Sequence, residues 1–387
     1  MSIPIAYNLR NLVVRKTTTL MTALGIALTV AVLLAVLALV DGLRVTLSAS
    51  GDPLRVMVMR KGSTSELVSN FVREQFQDLK FKPGIAMGRD GQPLASLELV
   101  SVLNLANVDN PNGVNVLVRG LSPAGIEMRR NTRLTAGRWF DSGRKELVVG
   151  ASVAKRFPEA GLGGKLHIGR GEWDVVGVIS SGRGVQDSEI WGDVNQVSSA
   201  LERIEVLSSA LVEATDAVTA KALINSIEND QRLGMMAVSE KQYYDDQTSQ
   251  AAPIEFVGIF VAIIMAVGSS FAAMNTMYAA VARRAREIGT LRVLGFSRGS
   301  ILTSFFLESV LLAGIGGLLG CLLVLPLNGL TTAVGSSNFS EMAFDFHVTP
   351  GIVLAGVAFA IVLGVLGGLL PARMASKKEI LTALREV

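Results

Sequence analysis

The sequence predicts an α-helical membrane protein with four transmembrane helices and a large extracytoplasmic α+β domain inserted between helices 1 and 2. Three observations lead there. Four uncharged stretches, 17–40, 256–282, 311–334 and 348–372, are each long enough to cross a bilayer, which takes about 20 helical residues for roughly 30 Å of hydrocarbon. Basic residues collect at alternate ends of those stretches. Between the first and second lies a polar region of alternating, β-branched segments of the kind that forms half-buried strands. Composition agrees: 50% of the 387 residues are hydrophobic and 18% are charged, against about 25% charged in a soluble domain.

The basic residues fix the orientation. Arg10, Arg15 and Lys16 precede the first span; Arg283, Arg284, Arg286, Arg292 and Arg298 lie between the second and third; Arg373, Lys377, Lys378 and Arg385 follow the fourth. The connection between spans three and four contains Glu341 and Asp345 but no Lys or Arg. All three basic segments therefore belong in the cytoplasm, and the long polar region and the acidic connection lie outside. The expected organisation is an interfacial segment over 1–16, spans over 17–43, 253–282, 300–334 and 348–371, and an outer domain over 44–252 in two lobes. The remaining pieces are an inner segment over 283–299, an outer loop over 335–347 and an inner tail over 372–387.

Taken in order, residues 1–16 place Ile5, Leu9, Leu12 and Val13 among Arg10 and Lys16, the pattern of a helix lying in the membrane surface. The first span is too long for a signal-peptide apolar region and is read as a retained anchor. Gly25 and the neighbouring alanines would admit a close helix neighbour. The span extends outward through 41–51. In the outer domain, strands are expected over 54–59, 114–118, 146–149 and 173–179, and helices over 65–79, 152–157 and 216–229; the lobe boundary falls near 121–138 or 199–211. Tyr243, Tyr244, Asp245 and Asp246 read as a solvated junction with the membrane.

The second span carries Asn275 in its inner half. Beyond it the helix should run through Arg286 into the cytoplasm until Gly289 permits a break. Leu291 and Leu294 then face a partner, Gly295 ends that element and Ser297 caps the next helix. Glu308, about two turns into the third span, must pair, protonate or reach the headgroups; Arg298 or a basic residue of another helix could serve it. Gly316-x-x-x-Gly320 and Gly364-x-x-x-Gly368 favour close packing of the third and fourth spans, and Pro326 and Pro371 can kink or end helices.

Chemistry-bearing motifs are sparse. Gly164-Lys165 lacks the upstream glycine spacing and final Ser/Thr of a phosphate loop. His167 and His347 are far apart and Cys321 stands alone, so neither a disulfide nor a His/Cys metal site is expected within one subunit. Ser152 does not lie in a nucleophile elbow. Asp187, Glu189 and Asp193 do not match an EF-hand, and a polar surface loop is the simpler reading. No catalytic set, cofactor or nucleic-acid partner is expected.

From Asn275 to Glu308 the chain reads N-x7-R-R-x-R-E-I-G-x-L-R-x-L-G-x-S, then F-L-E-S. With the segments 137–179 and the tail LPARMASKKEILTALR, it resembles the permease subunits of MacB/FtsX-like (type VII) ABC transporters over nearly its whole length. That resemblance implies a MacB-like periplasmic domain in the bacterial inner membrane. It also implies a permease homodimer or heterodimer pairing with a separate cytoplasmic ATPase dimer, which would bind the ATP and Mg2+. By the same resemblance, the ATPase-coupling segment comprises Arg286, Glu287, Gly289, Leu291, Arg292, Leu294 and Gly295. A second contact involves Arg373, Leu384 and Arg385, although Ile380 stands near the place of the family's tail proline. The implied function is mechanotransmission driving export or extraction, with a periplasmic adaptor and an outer-membrane channel as further partners and lipids around the spans. The alternatives are activation of a periplasmic partner such as a cell-wall hydrolase, and lipoprotein or lipid extraction.

Overall fold

Helix α1 (Lys16–Ser48) opens the regular structure, and its length follows from an uninterrupted apolar run. The computed structural model describes residues 7, 10, 14, 16–106, 113–249, 252–335 and 341–377. The chain divides into a helical unit (1–42, 251–330 and 345–387) and an outer unit (43–250 and 331–344). Tyr7, Arg10 and Val14 are helical, while Ile5, Leu9, Leu12 and Val13 of the expected interfacial segment lie outside the described residues.

The outer unit contributes, in chain order, β1 (Arg55–Arg60), β2 (Phe71–Val72), α2 (Arg73–Lys80), β3 (Ala95–Leu105), β4 (Val114–Leu121) and α3 (Pro123–Met128). Next come β5 (Arg133–Gly137), β6 (Glu146–Gly150), α4 (Ala151–Arg156), β7 (Lys165–Ile168), β8 (Gly171–Ser180) and β9 (Glu189–Asp193). It ends with α5 (Val194–Ala200), β10 (Val206–Leu207), β11 (Ser209–Glu213), α6 (Ala217–Glu228), β12 (Met235–Ser239) and α7 (Glu240–Ser249). One mixed ten-stranded sheet runs β12-β1-β11-β3-β4-β9-β6-β8-β5, with β7 on β8. In β8 the period-two pattern buries Trp173, Val175 and Ile179 and leaves Glu172 and Asp174 outward, as a sheet with one covered face requires. Asp216 accepts from the N–H groups of Val218 and Thr219 and so starts α6, the usual way a short acidic side chain satisfies free helix donors.

The helix expected over 65–79 forms only from Arg73 onward. Tertiary bonds claim the residues before it: Ser69 Oγ accepts from the N–H of Arg60 at 3.0 Å, and Glu66 is drawn into a buried charge cluster. At its centre is Arg119 of β4. Its guanidinium donates to Glu66 Oε1 (2.7 Å) and Oε2 (2.9 Å), to Glu98 Oε2 (2.6 Å) and to Glu189 Oε2 (3.1 Å) and Oε1 (2.9 Å). Arg129 forks onto Glu98 at 2.6 and 2.8 Å, and Arg55 pairs with Glu240 at 2.6 Å. Three arginines and four glutamates are thus buried together, tolerable only because each charge has a partner. Glu98 is held well below the usual carboxylate range: burial pushes it up, and Arg129 and Arg119 together outweigh that. Glu240 goes the other way, to about 7, because burial outweighs Arg55 and Arg129. The Tyr243 and Tyr244 rings are buried beside Leu47, Met57 and Leu211, so the tyrosine half of the expected solvated junction is a piece of the outer core, while Asp245 and Asp246 are exposed.

The helical unit continues with α8 (Ala252–Arg283), α9 (Ala285–Val293) and α10 (Arg298–Val324). The span expected over 300–334 ends earlier: a 3-10 turn follows at Leu325–Leu327, and β13 (Thr331–Gly335) then pairs with β14 (Glu341–Asp345). Of the loop expected over 335–347, Glu341–Asp345 is a hairpin strand and 336–340 lie outside the described residues; Ala343 is bonded through both backbone groups to Ser188 Oγ, at 3.0 and 3.2 Å. The last helix is α11 (Pro350–Lys377), which Pro371 does not end. α1, α8, α10 and α11 are each long and apolar enough to cross a membrane.

Glycines set the helix spacing. A Cβ on Gly316 would lie 2.8 Å from Ile26 Cβ, and one on Gly320 would lie 2.7 Å from the Ala27 carbonyl oxygen. One on Gly364 would lie 2.6 Å from Ala313 Cβ, and one on Gly368 would strike the Ser309 side chain. Only glycine permits this approach. Gly25, expected to do the same, has nothing near its Cβ position; Ala23 and Ala27 form the packed face of α1 instead.

Candidate functional site

The inner ends of α8 and α10 are joined by α9, and local chemistry defines each of its ends. Arg284 interrupts the helix with φ −106° and ψ 16° and stands as the N-cap of α9. At the other end Gly295 adopts φ 93°, where glycine is favoured. Its N–H donates to the Arg292 carbonyl at 3.2 Å, and the N–H of Phe296 donates to that of Leu291 at 3.1 Å, a Schellman closure. Ser297 Oγ then accepts from the N–H of Ser300 at 3.2 Å and starts α10.

Two faces result. Ala285, Ile288 and Gly289 are buried, and Ile288 joins Met277, Val281, Ile301, Phe305, Ala372 and Ala375 in one apolar cluster. Arg286, Glu287 and Thr290 are exposed, as are Val293 (63%) and Leu294 (65%). Leu291 is half-buried, so Val293 rather than Leu291 accompanies Leu294 on the open side. Val293 went unnoticed because its spacing from Leu294 matches no helical repeat; only the helix start at Ala285 sets its direction. Arg292 is also half-buried, and its Nη1 donates to the Phe296 carbonyl at 3.3 Å.

Glu308 is buried, and its partner is Arg284, not Arg298: Arg284 Nη1 donates to Glu308 Oε2 at 2.9 Å. Arg298 starts α10, and ten residues of helix put it about 15 Å along the axis from Glu308. Arg284 Nε donates to Glu287 Oε2 at 2.9 Å, and its guanidinium lies 4.8 Å from the Phe305 ring centre and 5.3 Å from that of Tyr7. The Tyr7 hydroxyl in turn donates to Glu287 Oε2 at 3.2 Å. Beside Glu308 lies a cavity of about 30 Å³, with Thr18, Thr22 and Thr276 in its wall.

Other expected residues are dispersed. Asn275 is exposed on α8, and Arg373 is exposed near the end of α11, while Leu384 and Arg385 lie outside the described residues. Among the described residues no cluster of three His, Cys, Asp or Glu could hold a metal ion. Of the acidic trio in the outer unit, Glu189 serves Arg119, Asp193 caps α5 and Asp187 accepts from the Ser181 N–H.

Two family models match the chain: the MacB-like periplasmic core domain over residues 19–230 and the FtsX-like permease C-terminal model over 259–380. The uncharacterized ABC transporter permease YknZ of Bacillus subtilis is 25% identical over 97% of both chains. The macrolide export ATP-binding/permease protein MacB of Rhodopseudomonas palustris is 26% identical over 71% of this chain, which covers 44% of that longer protein. The crystal structure of the periplasmic region of MacB from Actinobacillus actinomycetemcomitans overlies 51% of this chain and 94% of its own, with 13% identity and a TM-score of 0.38. With the first model spanning more than half of its residues, the chain belongs to the MacB/FtsX-like family of ABC transporter permeases, as a multi-pass inner-membrane protein with a large extracytoplasmic domain.

Proposed function

We propose that this permease couples ATP hydrolysis by a separate cytoplasmic ATPase dimer to a conformational change of its outer domain, and that the change drives export or extraction of a substrate. The observation that carries the reading is α9: a short helix between two spans, buried on one face and presenting Val293 and Leu294 on the other. Large apolar side chains on the open face of a short basic segment are what a docking groove selects. The role of Arg286, Glu287 and Leu294 as ATPase contacts, pairing of two permease copies, a contact through Arg373 and the tail, and a periplasmic adaptor all belong to this proposal. ATP and Mg2+ would reside in the partner.

Reconstitution of the full chain with its cognate ATPase tests it. Leu294→Asp, at a side chain the fold does not use, should abolish ATPase association without altering the thermal stability of the permease. A cysteine at Val293 should crosslink to the ATPase. Labelling of that cysteine by an impermeant reagent added from the outer side of intact cells would overturn the reading.

A further inference from the structure

Arg284 is the single residue between α8 and α9, and its backbone is not helical there. A one-residue break is a natural hinge, yet its side chain is 3% exposed and engages three segments. It donates to Glu287 on α9 and to Glu308 on α10, through different nitrogens, and lies over the rings of Phe305 on α10 and Tyr7 near the N-terminus. The planar guanidinium can hold two carboxylates in fixed directions at once, which a lysine ammonium cannot. The guanidinium is thus a buried polar tie between α9 and α10. Glu308 in turn has no cheap alternative, since an ionised carboxylate without its cation is costly at that depth.

We infer that Arg284 is a positioning residue, a bolt that makes α10 follow α9 when α9 is pushed, while its backbone lets α9 flex against α8. This deepens the coupling reading above and rests on it for the origin of the push. The hinge and the bolt occupy one residue, so its side chain carries displacement of α9 to α10 at the point where the backbone breaks.

The test uses the full-length permease in lipid nanodiscs with its ATPase, comparing Arg284→Lys, Glu308→Gln and the double variant. Lysine keeps the charge, so a role limited to neutralising Glu308 would be rescued by it. A bolt predicts that both single variants bind the ATPase as the parent does but lose roughly 2- to 30-fold of permease-stimulated turnover, the usual range for a coupling element. The double variant should be no worse than either. Parental turnover in Arg284→Lys would overturn the proposal, as would weakened ATPase binding, which would place Arg284 and Glu308 themselves in the docking surface. A partner-free arm keeps the two readings separable. Spin labels at exposed Thr290 and Thr303, in a Cys321→Ala background, should give a narrow distance distribution in the parent and a broadened one in Glu308→Gln. If the parent neither binds nor stimulates an ATPase, the coupling reading falls and the label distances alone decide the bolt. An unchanged distribution overturns it.

Discussion

Replacing Arg119 with methionine removes five hydrogen bonds and one positive charge from a site without solvent. Glu98 keeps Arg129, but Glu66 and Glu189 are left with the Ser209 hydroxyl and the Trp191 indole N–H as their remaining donors. One proton taken up by the Glu66 and Glu189 pair replaces the single positive charge removed, which at pH 7.5 costs about 4 kcal/mol. Loss of one partner from a buried ion pair costs about 3–5 kcal/mol. The two figures agree, so the outer domain should lose about 3–5 kcal/mol at pH 7.5. Trp139, Trp173 and Trp191 are the only tryptophans in the chain and all belong to the outer unit. Urea unfolding of the full-length protein followed by tryptophan fluorescence therefore reads that unit alone. With a slope of about 2 kcal/mol/M, the midpoint should fall by about 1.5–2.5 M. The penalty must shrink on acidification. A carboxylate that binds its proton more tightly when folded adds stability fully present below its unfolded pKa of about 4.3, and that stability is lost as pH rises. A midpoint within about 0.3 M of the parent, a small fraction of the expected fall, would refute the reasoning. So would a penalty as large at pH 5 as at pH 7.5.

Three further outcomes follow from the same contacts. Glu240 titrates at about 7 in the fold against 4.5 ordinarily. The outer domain should therefore be stabilised below about 4.5 by this group and lose that contribution as pH rises through about 7; Glu240→Gln should flatten that slope in the tryptophan assay. Gly320→Ala should destabilise the helical unit by about 1–3 kcal/mol, as overpacking does, because the new methyl meets the Ala27 backbone. Gly25→Ala meets nothing and should be neutral or stabilising by up to about 1 kcal/mol. Cys321, the lone and buried cysteine, supplies the readout for both: its reaction with a thiol-reactive dye on heating reports opening of the helical unit.

The four spans were legible because an uncharged run of helix length has few other meanings. What escaped was any change of structure inside such a run. Residues 325–335 stay uncharged, yet the chain turns at Gly329, with φ 78°, and enters a strand rich in Thr; hydropathy registers no such change of period. Residues 65–72 have helix-compatible composition, but the bonds to Glu66 and Ser69 come from distant strands and override it. Arg119 left a readable trace, a single charge within the apolar stretch VNVLVRGL of β4. Glu98 left the same trace in β3, whereas Glu189 did not, since β9 (EIWGD) also carries Asp193. Lone charges of opposite sign in separate apolar strands can satisfy one another only by burial together. At the inner segment, the C-terminal end of α9 was readable from Gly295 and the start of α10 from Ser297, whereas the start of α9 was not: the helix breaks at Arg284, and Gly289, where a break was expected, lies buried inside α9. The identity of the Glu308 partner was not readable either, because it depends on how the chain folds back after the Arg284 break.

The glycine faces of α10 and α11 have a mechanical meaning. Helices usually lock by fitting side-chain ridges into grooves, so moving one past another requires the ridges to ride over each other. Where Gly316 and Gly320 meet α1, and Gly364 and Gly368 meet α10, one surface is bare backbone and the facing side chains fill the notch it leaves. Such seams act as sockets: Ile26 and Val30 of α1, and Ser309 and Ala313 of α10, sit in notches that fix how far each helix is advanced along its neighbour.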